Sequence, residues 1–294
     1  MFLYFYRYGI LFLLPLRHSF KIYLMIRKIL VGVDFSEYSR TTTKYATQLA
    51  NKLGADVTLI HTYTLPLVNF ETGYIPPIED IQKEAEAEMN ALLNSFSGYR
   101  YNTVIKMGFA SEVISEYAAE HNFDLIILGI AGHGFVKKHL IGSTAYQVSK
   151  ESKIPVLIVP KDAEYKPIEK IAFACDFHKD LHRTELYLKV KNIVQYLGSN
   201  LEIISVVSDD KSVDTKFAEE YLYFEKKMED IPHEHYFVTH DKAAEGILEF
   251  IKARKSDWLI ISPLKHTIFE KLFKESVTKE IVFHSPIPVL TIHE

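Results

Sequence analysis

The stretch DLIILGIAGHGFVKKHLIGSTAYQV, residues 124–148, decides the fold of this chain. It places a short apolar run, 125–128, before a glycine-rich segment, and a helical pattern follows at 145–148. A strand, a glycine-rich loop and a helix start in this order form an arrangement that holds phosphate groups, because the first N–H groups of the helix point at the loop. Ser143 and Thr144 stand where their hydroxyls can join those N–H groups. The stretch predicts an α/β protein with an anion site at the end of a strand.

The glycines of this loop have a recognisable spacing. Gly129, Gly132 and Gly142 give the pattern Gly-x2-Gly-x9-Gly-Ser. It is neither a P-loop, which needs Gly-Lys-Ser/Thr, nor the G-x-G-x-x-G dinucleotide fingerprint. The pattern resembles the nucleotide loop of the universal stress protein family. The plainer alternative is a tight turn that holds no ligand, and three glycines before Ser-Thr favour binding.

The chain carries two copies of one unit, which is the mark of an internal repeat. Residues 26–35 align with 168–177, which lie 142 positions later, and 124–129 align with 257–262, which lie 133 positions later. The second copy is therefore nine residues shorter between its first and fourth strands. We expect the loss in the segment that matches 63–77.

Each copy alternates strand-like and helix-like patterns. In the first copy, strands are predicted near 28–34, 56–62, 102–107, 124–129 and 155–159, and helices near 38–53, 78–95, 111–121 and 143–151. Apolar strands without alternation indicate a parallel sheet with helices on both faces. We predict two tandem doubly wound domains at 25–160 and 167–294, each with five parallel strands, for which the resemblance implies the order 3-2-1-4-5.

The first 24 residues are predicted to be an extension outside the fold, with Met25 as the functional start. Their longest uninterrupted apolar run, 10–16, is shorter than the roughly 20 residues that a spanning helix needs. The alternative is a membrane-associating anchor, helped by Arg17, His18 and Lys21.

Composition narrows the class of protein. Hydrophobic residues make up 48% and charged residues 24% of the chain, as in ordinary globular proteins. The net charge of −4 provides no basic field for nucleic acid. Cys175 is the only cysteine, which excludes an intrachain disulfide and a thiolate zinc cluster. We expect a cytoplasmic protein without a nucleic-acid or membrane partner.

The candidate site lies where two separate patterns meet. In an open parallel sheet, ligands bind beyond the carboxyl ends of the strands, where the strand order reverses. In the order 3-2-1-4-5 this point separates the first and fourth strands. Asp34, at the end of the first strand, and Gly129, at the end of the fourth, therefore share one crevice. Asp34 also has a plainer interpretation, in which it caps the helix that follows.

The resemblance implies a role for each site residue, with ATP or AMP as the ligand and Mg²⁺ or Mn²⁺ as an ion that a triphosphate brings. By that resemblance, the phosphates are contacted by Gly132, Gly142, Ser143 and Thr144. The ribose lies beside Gly129 and Ile130. Asp34 approaches the adenosine, and the backbone of Thr62 contacts the adenine edge.

The second copy has lost the loop. Its counterparts of Gly129, Ile130, Gly132 and Gly142 are Ser262, Pro263, Lys265 and Glu275. A carboxylate at the start of a helix takes the place of the anion that the helix attracts, so we predict one nucleotide per chain. The alternative is that Lys265 and Lys271 restore binding through their charge.

The final strands, 154–159 and 287–292, are apolar on both faces, and an uncovered apolar edge promotes aggregation. Universal stress proteins commonly pair these strands across a two-fold axis, and we expect the two copies to pair with each other. Loops over each edge are the alternative, and a homodimer stays open.

His233, His235 and His240 raise a zinc hypothesis. No carboxylate or thiolate at ligand spacing completes a set, so exposed strand histidines are the favoured interpretation, and no metal site or catalytic group is predicted. We expect a stress-response regulator that binds ATP or AMP in its first copy, with the second copy as a built-in partner. A slow ATPase or nucleotide-using transferase, and an interaction module without a ligand, are the alternatives.

Overall fold

The computed structural model describes residues 25–65, 77–96, 98–130, 143–177, 182, 185–207, 214–263 and 275–293. The first half contains β1 (Lys28–Gly32), α1 (Glu37–Leu53), β2 (Asp56–Tyr63), α2 (Ile78–Asn94), β3 (Tyr101–Met107), α3 (Ala110–Glu120), β4 (Leu125–Ile130), α4 (Ser143–Glu151) and β5 (Val156–Pro160). The second half contains β6 (Lys170–Ala174), α5 (Leu186–Leu197), β7 (Asn200–Val207), α6 (Thr215–Met228), β8 (His233–Thr239), α7 (Ala243–Arg254), β9 (Trp258–Ile261), α8 (Glu275–His284) and β10 (Val289–Thr291).

Within the described residues, the strands form one ten-stranded sheet in the order β3-β2-β1-β4-β5-β10-β9-β6-β7-β8. Within each half all neighbouring strands are parallel. The predicted α/β class, with a parallel sheet and the order 3-2-1-4-5, is confirmed in the first half. The second half follows the same order, read from β8 to β10.

Both faces of the sheet are covered, as the apolar pattern of the strands predicts. Ile29, Leu30 and Val31 of β1 are all 0% exposed. Ile29 and Val31 belong to the core on one face, and Leu30 belongs to the core on the other. A strand that is buried on both sides requires apolar residues at every position, which explains the absence of alternation.

An aspartate before the fourth strand ties that strand to the first one in both halves. Asp124 Oδ2 accepts hydrogen bonds from the N–H groups of Arg27 and Lys28 at 2.8 and 2.9 Å. Asp257 Oδ2 accepts the same pair from the residue before β6 and the first residue of β6, at 2.8 and 2.9 Å. The repeat seen in the sequence is thus also a repeat of individual contacts.

The two halves meet through β5 and β10, which pair antiparallel with Leu157 opposite Leu290. Beside this seam, His293 Nε2 donates to the carbonyl of Ser149 over 2.7 Å, and both residues are buried. Each final strand therefore has a hydrogen-bonding neighbour on both sides, which removes the exposed edges that the sequence would otherwise leave.

The second half is shorter mainly where the sequence predicts it. Fourteen residues, 64–77, separate β2 from α2, whereas seven residues, 208–214, separate β7 from α6. The shortening therefore affects the loop beyond the second strand and leaves the central strands of both halves equivalent.

Candidate functional site

A cavity of about 330 Å³ lies at the carboxyl ends of β1, β2 and β4, at the point where the strand order reverses. Its walls come from these strands and from the first turns of α1, α3 and α4. It is lined by Gly32, Val33, Asp34, Ser36, Tyr38, Ser39, Ile60, His61, Thr62, Ala110, Ile114, Leu128, Gly129, Thr144 and Ala145. The cavity thus brings together four of the eight residues that the sequence analysis selected: Asp34, Thr62, Gly129 and Thr144.

The other four residues are placed differently. Ile130 is the last residue of β4, and its side chain is 3% exposed and packs in the core. Ser143 is the first residue of α4, but its side chain lies outside the described residues. Gly132 and Gly142 also lie outside the described residues.

Asp34 belongs to the turn that leads from β1 into α1. Its Oδ1 accepts hydrogen bonds from the N–H and the hydroxyl of Ser36 at 3.1 and 2.5 Å. Ser36 itself caps α1, because its Oγ accepts a hydrogen bond from the N–H of Ser39 at 3.3 Å. Asp34 therefore binds the capping residue rather than the helix. Its side chain is exposed at the cavity, and both of its bonds use one oxygen.

Gly129 lets α1 approach β4 closely. A Cβ atom at this position would lie 2.3 Å from Oγ1 of Thr42, well inside any tolerated contact. Thr42 is held in place because its hydroxyl donates to the carbonyl of Tyr38 over 2.9 Å. The glycine is thus explained in the structure by the close packing of α1 on β4.

The end of β2 supplies a residue that the sequence analysis overlooked. His61 lines the cavity beside Thr62, and its Nδ1 donates to the carbonyl of Val33 over 2.8 Å. A carbonyl can only accept, so Nδ1 carries the hydrogen. The position of His61 in the sequence could have indicated its role, because in the order 3-2-1-4-5 the end of the second strand lies next to the end of the first.

Two residues that line the cavity suit ligand groups of different charge. The exposed carboxylate of Asp34 accepts hydrogen bonds and repels anions. Thr144, in the first turn of the nine-residue helix α4, lines the cavity as well, and a helix N-terminus attracts negative charge. A ligand that carries both hydroxyl or amino donors and an anionic group matches these two lining features.

The second half has different residues at the positions that correspond to this site. Ser262 occupies the position of Gly129, is 8% exposed, and its hydroxyl has no hydrogen-bond partner among the described residues. Pro263 follows it and has no N–H to donate. Helix α8 begins at Glu275, where the first half has Gly142, and Lys265 lies outside the described residues.

The histidines of β8 contact a carboxylate from another element. Glu225 of α6 bonds to His233 Nε2 over 3.1 Å and to His235 Nδ1 over 3.2 Å. His240 lies apart from them, 4.0 Å from Glu245. In the described part of the chain, no group of three or more His, Cys, Asp or Glu residues is arranged to hold a metal ion.

No helix within the described ranges has the length and apolar character needed to cross a membrane.

Comparison with known proteins places these features in context. The profile of the universal stress protein family matches residues 25–160 and 171–293. Universal stress protein YxiE of Bacillus subtilis (strain 168) is 29% identical over 147 residues, which cover 46% of this chain and 99% of YxiE.

Two solved structures extend the comparison. A universal stress protein from Archaeoglobus fulgidus DSM 4304 matches 90% of this chain and 98% of its own, with a TM-score of 0.67 and 20% identity, and so shares the fold. A universal stress protein crystallised in complex with cAMP is 26% identical, matching 46% of this chain and 97% of its own with a TM-score of 0.33.

Proposed function

The chain belongs to the universal stress protein family, and we propose that it is a stress-response protein that binds an adenine nucleotide, ATP or AMP, in its first half. For ATP the proposal includes a Mg²⁺ or Mn²⁺ ion carried by the phosphates, since a triphosphate brings a divalent ion. The observation that carries the proposal is the cavity at the carboxyl ends of β1 and β4, lined both by the Asp34 carboxylate and by Thr144 in the first turn of α4.

We infer one orientation for a nucleotide from the chemistry of these two lining features. Its phosphates carry the negative charge that the first turn of α4 attracts, where Thr144 lines the cavity. Its ribose and adenine carry the hydroxyl and amino donors that Asp34 can accept. The reverse orientation would set phosphate against the carboxylate, and two unit charges 4 Å apart repel by about 4 kcal/mol at an effective dielectric of 20. The glycines at 132 and 142 complete the phosphate loop in this proposal.

The second half serves, in this proposal, as a partner that binds no nucleotide. Two substitutions support this. Pro263 lacks the backbone N–H that Ile130 has in the first half, and Glu275 is an acid where the first half has Gly142. The antiparallel pairing of β5 with β10 supports a partner role, because it joins the halves through the strands that end their sheets.

Thermal unfolding with added nucleotide tests the proposal. A ligand at 100 times its Kd adds about 2.7 kcal/mol to stability, so we expect millimolar ATP or AMP to raise the Tm of the wild type. Gly142→Glu, which copies the acid of the second half, is expected to abolish the shift. Glu275→Gly is the matched control and is expected to keep it. No shift in the wild type, together with no nucleotide in native mass spectra of the purified protein, would contradict the proposal.

A further inference from the structure

We propose that His61 is a positioning residue that sets the affinity of this site by holding the Asp34 carboxylate in place, an inference that rests on the proposed nucleotide binding. His61 contacts the residues on both sides of Asp34: it bonds to the backbone of Val33 and packs against the ring of Phe35. Asp34 is thereby fixed from its two neighbours, although its own side chain is exposed at the cavity.

The backbone of Val33 is held at both of its polar groups. Its N–H donates to the carbonyl of Ile60 over 2.9 Å, which continues the sheet by one residue beyond β1. The carbonyl of Val33 is the first backbone group beyond the strand hydrogen bonds of the sheet. His61 Nδ1 donates to this carbonyl over 2.8 Å. The side chain at the end of β2 thus replaces the strand hydrogen bond that the departing chain no longer makes.

Phe35 needs support from outside its own turn. Its φ of 61° lies in the left-handed region, which is unfavourable for a residue that carries a Cβ. Its ring lies 4.2 Å from the ring of His61, centroid to centroid, with an angle of 31° between the planes. The left-handed residue turns the chain from β1 into α1, so that Ser36 follows as the cap and bonds to Oδ1 of Asp34.

These contacts have a consequence for binding. A carboxylate that is held in one position before the ligand arrives binds more tightly than one that must be ordered on binding. His61 should therefore affect affinity only by positioning Asp34. We expect this effect to disappear when Asp34 is replaced by a residue without the negative charge.

A double-mutant cycle tests this directly. The four proteins are the wild type, Asp34→Asn, His61→Phe and the double variant, titrated with ATP by calorimetry. His61→Phe keeps a ring against Phe35 and removes the donor to Val33, and Asp34→Asn keeps an acceptor for Ser36. We expect His61→Phe to weaken ATP binding about tenfold when Asp34 is present. This is the effect expected if the displaced Asp34 carboxylate loses one hydrogen bond to the ligand. In the Asp34→Asn background we expect a change of less than about twofold.

Two results would overturn the inference while the proposed function stands: ATP binding unaffected by His61→Phe, or an equal loss in both backgrounds. Absence of ATP and AMP binding to the folded wild type would overturn both together. Circular dichroism establishes that each variant is folded. If His61→Phe does not fold, Phe35→Gly takes its place in the cycle and tests the ring contact of His61, because glycine adopts a φ of 61° without strain and lacks the ring that His61 packs against.

Discussion

The indole Nε1 of Trp258 donates a buried hydrogen bond of 2.6 Å to the hydroxyl of Tyr45, which lies 213 residues away along the chain. Tyr45 belongs to α1, the helix that starts at the candidate site, and Trp258 begins β9, the fourth strand of the other half. Burial raises the pKa of Tyr45, so its hydroxyl stays neutral and can accept from the indole. The helix at the candidate site is therefore in direct polar contact with the second half.

Tyr45→Phe should destabilise the protein, because the indole N–H of Trp258 would remain buried without an acceptor. The expected loss is about 1–3 kcal/mol in the free energy of unfolding, measured by urea denaturation. In a Trp258→Phe background the same change should cost much less, because the donor is already gone. An equal cost in both backgrounds would show that this bond does not couple the two halves.

Gly129→Ala should destabilise the protein through α1. The new methyl group would meet Thr42 Oγ1 at 2.3 Å, and overpacking of this kind costs about 1–3 kcal/mol. Adding Thr42→Ala removes the obstructing atom, so the double variant should regain stability relative to Gly129→Ala in urea denaturation. A double variant as unstable as Gly129→Ala would contradict the packing explanation of this glycine.

Acid should weaken the contact between α6 and β8. Burial lowers the pKa of His235 below 6.5. Burial opposes a low pKa at Glu225, but its bonds to His233 and His235 prevail and lower that pKa below 4.5. Both groups bind protons more weakly when folded, so the stability they contribute is lost as the pH falls, first below about 6.5 and then below about 4.5.

Urea denaturation at pH 7.5, 6.0 and 5.0 checks this expectation. His235→Phe should flatten the decline between pH 7.5 and 5.0, since the buried group no longer titrates. An unchanged slope in His235→Phe would contradict the assignment to His235.

The fold was predictable from the sequence because its signals are local. The unbroken apolar run at 29–31 indicates a strand covered on both faces, and Ile29, Leu30 and Val31 are all 0% exposed. The predicted ends are less exact: β1 ends at Gly32 rather than at Asp34. The chain leaves the strand early because Phe35 adopts a left-handed conformation, which no pattern of hydrophobicity reports.

The site was predictable only in part, because its contacts join distant segments. Strand order alone brings Asp34 and Gly129 to one crevice, and both line the cavity. The contact of Thr42 with Gly129 depends on how closely α1 packs on β4, and the bond from His61 depends on the register of β1 and β2. Hydrophobic periodicity reports neither the closeness of helix packing nor the register of two strands. The roles of the predicted phosphate-loop residues remain predictions.

The number of nucleotides bound per chain tests the central claim most directly. Calorimetric titration of the full chain with ATP should give one site, and Gly142→Glu should remove it. Two equivalent sites per chain, or a single site that survives Gly142→Glu, would contradict the account.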